Sequence, residues 1–200
     1  MMRKRYSVFT ILLIFSITAC SDTMQSPDVN TEPPETMVIQ KVDVPKYQEY
    51  LNDFQYQGIW EFVTDDAVEK IEIKSYNYAN GKWIEKDALS YRSKIIEDLI
   101  AIGYDYLNIA SVMCLAGGCR IPEEDQLYDF RDGYHQYVSW LEDWTEIEYG
   151  KEIPLTMQIL SKDEIKEMPS LDVYLTPEKI GEMGLTYVSV VTVTFYDTRG

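Results

Sequence analysis

Between Val68 and Glu85 the chain commits itself to β-structure. Ile71, Ile73, Ser75, Asn77 and Ala79 alternate with Glu72, Lys74, Tyr76 and Tyr78, and Asn80-Gly81 then leads into Lys82-Trp83-Ile84. A period of two places one set of side chains on each face of a strand. Asn-Gly between two such runs favours a two-residue type I′ turn, because both positions tolerate positive φ. The pattern predicts a β-hairpin.

The rest of the chain repeats this character. Gly58-Ile59-Trp60-Glu61-Phe62-Val63 is short, aromatic and β-branched, and Thr64-Asp65-Asp66 after it is turn chemistry, so a strand is expected. Ile153 to Leu160 and Leu171 to Leu175 read as strands, with a turn at Ser161-Lys162-Asp163-Glu164 between them. Leu185 to Tyr196 carries the β-branched run Val188 to Phe195 of a central, buried strand. Thr176-Pro177-Glu178 looks like an N-cap with Pro at the first helical position, which predicts a short helix from Pro177 to Met183 ended near Gly184. A second short helix is expected within Ala88 to Ile102, where Leu89, Ile95, Ile96, Leu99 and Ile100 share one helical face. Tyr104 to Cys114 returns to sheet-like composition, with a turn at Gly117-Gly118.

One stretch is contested. Leu127, Phe130, Tyr134, Tyr137, Leu141 and Trp144 recur at steps of three and four, yet Arg131-Asp132-Gly133 interrupts them, and Gly inside a helix costs about 1 kcal/mol relative to Ala. A hairpin through Asp132-Gly133 is the favoured reading. Eight to ten short strands, one or two short helices and many turns fit a mainly β fold, an antiparallel β-sandwich, with α+β as the alternative.

The N-terminus has a different organisation. Arg3-Lys4-Arg5, the apolar run Val8 to Ile17, and Ile17-Thr18-Ala19-Cys20 follow the three-part layout of a secretory signal. A ten-residue apolar helix would rise about 15 Å, half a bilayer's hydrocarbon core, which suits a signal better than a membrane span. The last four of these residues resemble the lipobox of bacterial lipoprotein precursors, in which a branched apolar residue, two small residues and a Cys guide diacylglyceryl transfer and cleavage before the Cys. The resemblance covers the signal alone. It implies a signal peptide over residues 1–19, a mature chain acylated at Cys20, and a location on the extracytoplasmic face of a cell membrane, held there by the lipid anchor. Acyl chains contribute roughly 0.8 kcal/mol per buried methylene, and two or more give a stable anchor.

Residues 20–40 are expected to be a tether: Pro27, Pro33 and Pro34 stand among Asp22, Asp28, Glu32 and Glu35. As a coil, the sixteen residues from Ser21 to Thr36 would span roughly 20–25 Å. Residues 41–200 are then a single globular domain, since 46% hydrophobic content is enough to fill a core. Met37 to Asn52 has apolar residues too irregular to fix a period.

The chain carries 18 Lys and Arg against 34 Asp and Glu; without Arg3, Lys4 and Arg5 the first number falls to 15, and the formal charge of the mature part to −19. Nucleic-acid backbones, which are bound by basic residues that displace counterions, are therefore unsuitable partners. Catalytic signatures are missing from the sequence. His135 is the one imidazole, and there is no Gly-x-Ser-x-Gly, P-loop, dinucleotide fingerprint or His-Glu-x-x-His. Paired acids such as Asp65-Asp66, Glu123-Glu124-Asp125, Glu142-Asp143 and Asp163-Glu164 read as solvated turns, and none matches an EF-hand, although a looser calcium loop stays open. No other cofactor or metal is implied.

Two readings of function follow. The first is a non-catalytic binding or scaffolding domain at the cell surface, its ligand an unknown protein or glycan. The alternative is a carbohydrate-binding module or carboxylate-based glycosidase, with Trp60, Trp83, Trp140 and Trp144 as a stacking platform for sugar rings. With Cys20 taken by acylation, Cys114 and Cys119 are left as a pair in an oxidising compartment, separated by Leu115-Ala116-Gly117-Gly118, and are expected to form a disulfide.

Overall fold

The computed structural model describes residues 36–43, 56–92, 97–104, 111–115, 118–120, 133–185 and 187–197. They form two antiparallel sheets. Eleven strands are present: β1 Val38–Lys41, β2 Tyr56–Val63, β3 Val68–Ala79, β4 Lys82–Arg92, β5 Glu97–Tyr104, β6 Ser111–Leu115, β7 Gly118–Arg120, β8 His135–Trp140, β9 Thr145–Glu146, β10 Ile153–Ser161 and β11 Tyr187–Asp197. The first sheet runs β7-β6-β5-β2-β1-β9 and the second β4-β3-β11-β10-β8. This is the mainly β sandwich that alternation and turn chemistry predicted.

The β3–β4 hairpin turns at Asn80 and Gly81, with φ of 54° and 80°. Its apolar set, Ile71 and Ile73, joins Leu155, Val191, Val193 and Phe195 on the inner face of the second sheet. These pack against Ile39, Trp60, Phe62, Ile100, Ile102 and Tyr104 of the first. Phe62 and Phe195 meet edge to face across the layers, 5.2 Å between centroids.

The second sheet is buried on both faces. On its outer side Met157, Ile159, Val188 and Val190 are covered by Ile180, Leu185, Leu171, Val173 and Tyr174. Two irregularities make this possible. In β10 the register shifts between Pro154 and Thr156, so Ile153 and Leu155 face the inner core while Met157 and Ile159 face outward. In β4 the shift opposite Ser75 and Tyr76 sends Leu89 inward and Trp83 outward.

Several sequence expectations need correction. The helix expected within Ala88 to Ile102 is absent: Leu89 lies in β4 opposite Ile73, and Leu99 and Ile100 lie in β5 opposite Glu61 and Trp60. Pairing with β3 and β2 overrode an accidental helical spacing. Leu171–Leu175 is a 3-10 turn, not a strand, because Ser170 Oγ accepts the Asp172 N–H at 3.1 Å and caps it. The helix after it, α1, is a single turn, Glu178–Glu182, followed by Gly184 at φ 71°. Gly118 belongs to β7 rather than to a turn.

The expected tether boundary at 40/41 cuts through β1, which pairs with β2 and β9 and buries Ile39 completely. Irregular apolar spacing around a four-residue strand hid it. The first arm of the expected Asp132-Gly133 hairpin lies outside the described residues; its second arm is β8, which pairs with β10. The signal segment and Cys20 also lie outside them.

Candidate functional site

Of the four indoles singled out above, the fold brings two together beside β8, Trp60 and Trp140. Trp60 is fully buried and donates its Nε1–H to the Leu141 carbonyl at 3.0 Å. Trp140, half-buried at the end of β8, packs on it with centroids 5.8 Å apart and planes 45° apart, and on Tyr104 at 6.1 Å. Gly58 makes room for both indoles: a Cβ there would stand 2.4 Å from Trp60 Cη2 and 2.9 Å from Trp140 Cε3. Lys41 reaches over Trp140, 5.3 Å from the ring centroid, and pairs with Glu142 at 2.6 Å.

Trp83 is elsewhere. It belongs to the outer layer of the second sheet, wedged between Tyr78 and Tyr174, with its Nε1–H donated to the Tyr174 carbonyl at 2.9 Å. Trp144 is 65% exposed, in the segment between β8 and β9. The expected platform of Trp60, Trp83, Trp140 and Trp144 is therefore not assembled: one indole is core, two are locked by hydrogen bonds or tilted packing, and one stands alone. Aromatic residues in a sheet protein serve the core first, and sequence gives no way to tell an inward indole from an outward one across a β-bulge.

A groove of about 480 Å³ runs along β8, lined by Val138, Trp140 and Leu141, by Leu171 of the 3-10 turn, and by the carboxylates of Asp143 and Asp172. The 3-10 turn forms its far wall, held there in part by Ser139 Oγ donating to the Pro169 carbonyl at 3.3 Å. His135 is exposed at the start of β8, beside Tyr137 at 6.4 Å between centroids.

Carboxylates near the interior are engaged in structure. Glu72 receives Lys70 at 2.9 Å, Ser90 at 3.0 Å and Tyr196 at 3.0 Å, with Lys74 at 3.5 Å. Partial burial alone would raise its pKa, but these donors and the Lys74 charge bring it down to about 2. Glu152 accepts the hydroxyls of Tyr76, at 2.6 Å, and Tyr174. Burial and that carboxylate push both phenols upward. Asp65 accepts the Tyr149 hydroxyl and the Ala67 N–H. Among the described residues no three His, Cys, Asp or Glu side chains are grouped to hold a metal ion.

Inside the sandwich, Tyr104 is fully buried near Thr156, and burial pushes its phenol upward. Neither hydroxyl oxygen makes a hydrogen bond. The β6–β7 register sets Cys114 directly opposite Cys119, with Leu115 opposite Gly118. No protein-family model, curated protein or solved structure matches the chain.

Proposed function

We propose that the chain is a lipoprotein held on the extracytoplasmic face of a cell membrane through acylated Cys20, and that its β-sandwich acts there as a non-catalytic binding or scaffolding domain. The observation that carries the location is the sequence from Arg3 to Cys20: a basic start, a short apolar run and Ile-Thr-Ala-Cys. Support for a binding role comes from the sandwich itself. Its inward-leaning carboxylates are tied to tyrosines and lysines rather than left facing one another across a cleft, while a groove along β8 offers Trp140 and Leu141 beside Asp143 and Asp172.

Nucleic acid is excluded from this reading by charge sign, and membrane contact is assigned to the acyl chains, since anionic headgroups would repel a mature part of charge −19, from 15 basic and 34 acidic residues. In the same compartment Cys114 and Cys119 are a disulfide. Opposed residues of an antiparallel ladder have Cα atoms about 4.5–5.5 Å apart, within the range a disulfide bridges.

The test is Cys20→Ala in cells fed an alkyne-tagged fatty acid. The tag should label the native chain and be lost from the variant, which moves to the soluble extracytoplasmic fraction or accumulates as uncleaved precursor. Label retained on the Ala variant would refute the assignment.

A further inference from the structure

We propose that the groove beside β8 binds small organic ammonium ions, molecules that join an apolar alkyl or aryl body to a protonated amine. The proposal names the ligand class for the binding role above and rests on it. The two walls of the groove are alike in chemistry. Leu141 and Asp143 come from the segment that follows β8, and Leu171 and Asp172 from the 3-10 turn, so each side brings one leucine and one carboxylate, with the Trp140 indole among them. Asp143 and Asp172 are exposed, and neither carboxylate meets a hydrogen-bond donor or a cation among the described residues. At about 480 Å³ the groove has the size of an ordinary small-molecule site. Its walls are set in advance. The Leu141 N–H is bonded to the Leu155 carbonyl at 2.8 Å, the Leu141 carbonyl accepts the Trp60 Nε1–H at 3.0 Å, and Ser139 Oγ donates to the Pro169 carbonyl at 3.3 Å. A preformed site loses little freedom when a ligand enters.

The chain itself supplies an ammonium to this chemistry. Lys41 holds its Nζ 5.3 Å from the centroid of Trp140 and 2.6 Å from Glu142 Oε1, and Trp140 and Glu142 both line the groove. An indole face attracts a cation through its ring quadrupole, and a carboxylate beside it adds charge and a hydrogen-bond acceptor. Lys41 answers Glu142 and leaves Asp143 and Asp172 without a counter-charge. A free amine brings the missing charge, and its apolar body covers Leu141 and Leu171. Charge also selects against the alternatives. An anionic ligand would meet three carboxylates and one lysine, and a neutral sugar would stack on the indole while leaving two like charges facing the same groove.

The experiment uses the full chain, purified from membranes into phosphatidylcholine nanodiscs, with empty nanodiscs as the blank. The probes share one ring and differ in charge: phenethylamine, 2-phenylethanol and phenylacetate. Calorimetry reads affinity, and the nuclear magnetic resonance signals of the indole N–H groups read position, with that of Trp140 identified through Trp140→Phe. Phenethylamine should shift the Trp140 signal and bind at least tenfold more tightly than the other two. Asp143→Asn with Asp172→Asn, both surface changes, should weaken the amine at least tenfold and leave 2-phenylethanol as it was. Lys41→Gln removes the resident ammonium, frees Glu142 and the face of Trp140, and should tighten the amine about threefold. Equal affinity for the three probes, shifts confined to other indoles, or an amine indifferent to the double Asn variant would overturn the site. Maltose that shifts Trp140 and binds more tightly than phenethylamine would overturn it in favour of a glycan. Two further readouts on the same preparation keep this proposal apart from the reading it rests on. An acylated chain that fails to bind the amine sinks the groove assignment alone, and an unacylated chain that binds it sinks the anchor alone. Amine recovered chemically unchanged, by mass spectrometry, supports a binding role, and altered amine would sink the non-catalytic reading.

Discussion

Gly58→Ala is the most direct probe of how the sandwich seats its indoles. Gly58 lies in β2 with ordinary strand backbone, so on chain entropy alone an Ala there should stabilise the protein by about 0.4–1 kcal/mol. The structure demands the opposite sign. The new Cβ would sit 2.4 Å from Trp60 Cη2 and 2.9 Å from Trp140 Cε3 and Cζ3, closer than any van der Waals contact permits. Trp60 has no room to retreat: it is fully buried, and its Nε1–H is fixed to the Leu141 carbonyl. Overpacking of a filled core costs about 1–3 kcal/mol, and breaking the indole hydrogen bond would add about 1 kcal/mol. The net expectation is a loss of about 1–3 kcal/mol, read as a lower urea midpoint in Trp fluorescence and near-ultraviolet circular dichroism. Trp60→Phe removes the atom at 2.4 Å, so the double variant should lose less than the two single changes added together. A Gly58→Ala protein as stable as the native one, or more so, would refute the packing argument.

The Glu72 carboxyl, at about 2 in the folded protein against 4.5 as its ordinary value, contributes stability that is complete above about pH 4.5 and is lost as pH falls toward 2. The full shift corresponds to about 3 kcal/mol, which solvent access at this surface reduces to about 1–2 kcal/mol. The stability difference between native protein and Glu72→Gln should shrink across that window, and a difference independent of pH would contradict it. Tyr104→Phe removes a buried hydroxyl that has no hydrogen bond, so it should leave stability unchanged or raise it by about 1 kcal/mol in thermal melts; a loss above 1 kcal/mol would show that the hydroxyl is bridged. For Cys114 and Cys119, alkylation of the denatured native chain should label them only after reduction, and label on both before reduction would refute the bond.

What the sequence disclosed was what its signals encode locally. Asn80-Gly81 dictates positive φ at two adjacent positions, and the residues before it alternate with the period of a strand, so the β3–β4 ribbon was legible from about a dozen neighbours. The β-branched run of β11 disclosed a strand covered on both faces for the same reason. Ala88 to Ile102 was misread because two strands and their connection mimicked one helical face, and only partners far along the chain, β2 and β3, decide otherwise. The place of β8 was illegible on similar grounds. Nothing within His135–Trp140 states that this strand pairs with β10; that follows from the order of the other described strands. Nor does a single glycine in a hydrophobic run announce that two indoles from different strands close over it.

Composition proved more informative when two of its oddities were joined. The acid excess reads, from sequence, as a matter of solubility, and the sixteen tyrosines as rings for sheet faces. In the structure they meet. Tyr76 and Tyr174 donate to Glu152, Tyr149 to Asp65, and Tyr196 to Glu72. With 34 acidic residues and 18 basic ones, lysines and arginines are too few to give every carboxylate an ion pair. A phenol supplies a donor that needs no charge, and its ring can be buried where an ammonium cannot. The arrangement reinforces itself: burial and the neighbouring carboxylate raise Tyr76, Tyr174 and Tyr196 above their ordinary values, so each phenol holds its proton more firmly as a donor to that carboxylate. Only Glu72 also draws on lysines, and there too Tyr196 completes the set. An acidic exterior and a tyrosine-rich sandwich are therefore one solution, in which neutral donors tie down the innermost carboxylates.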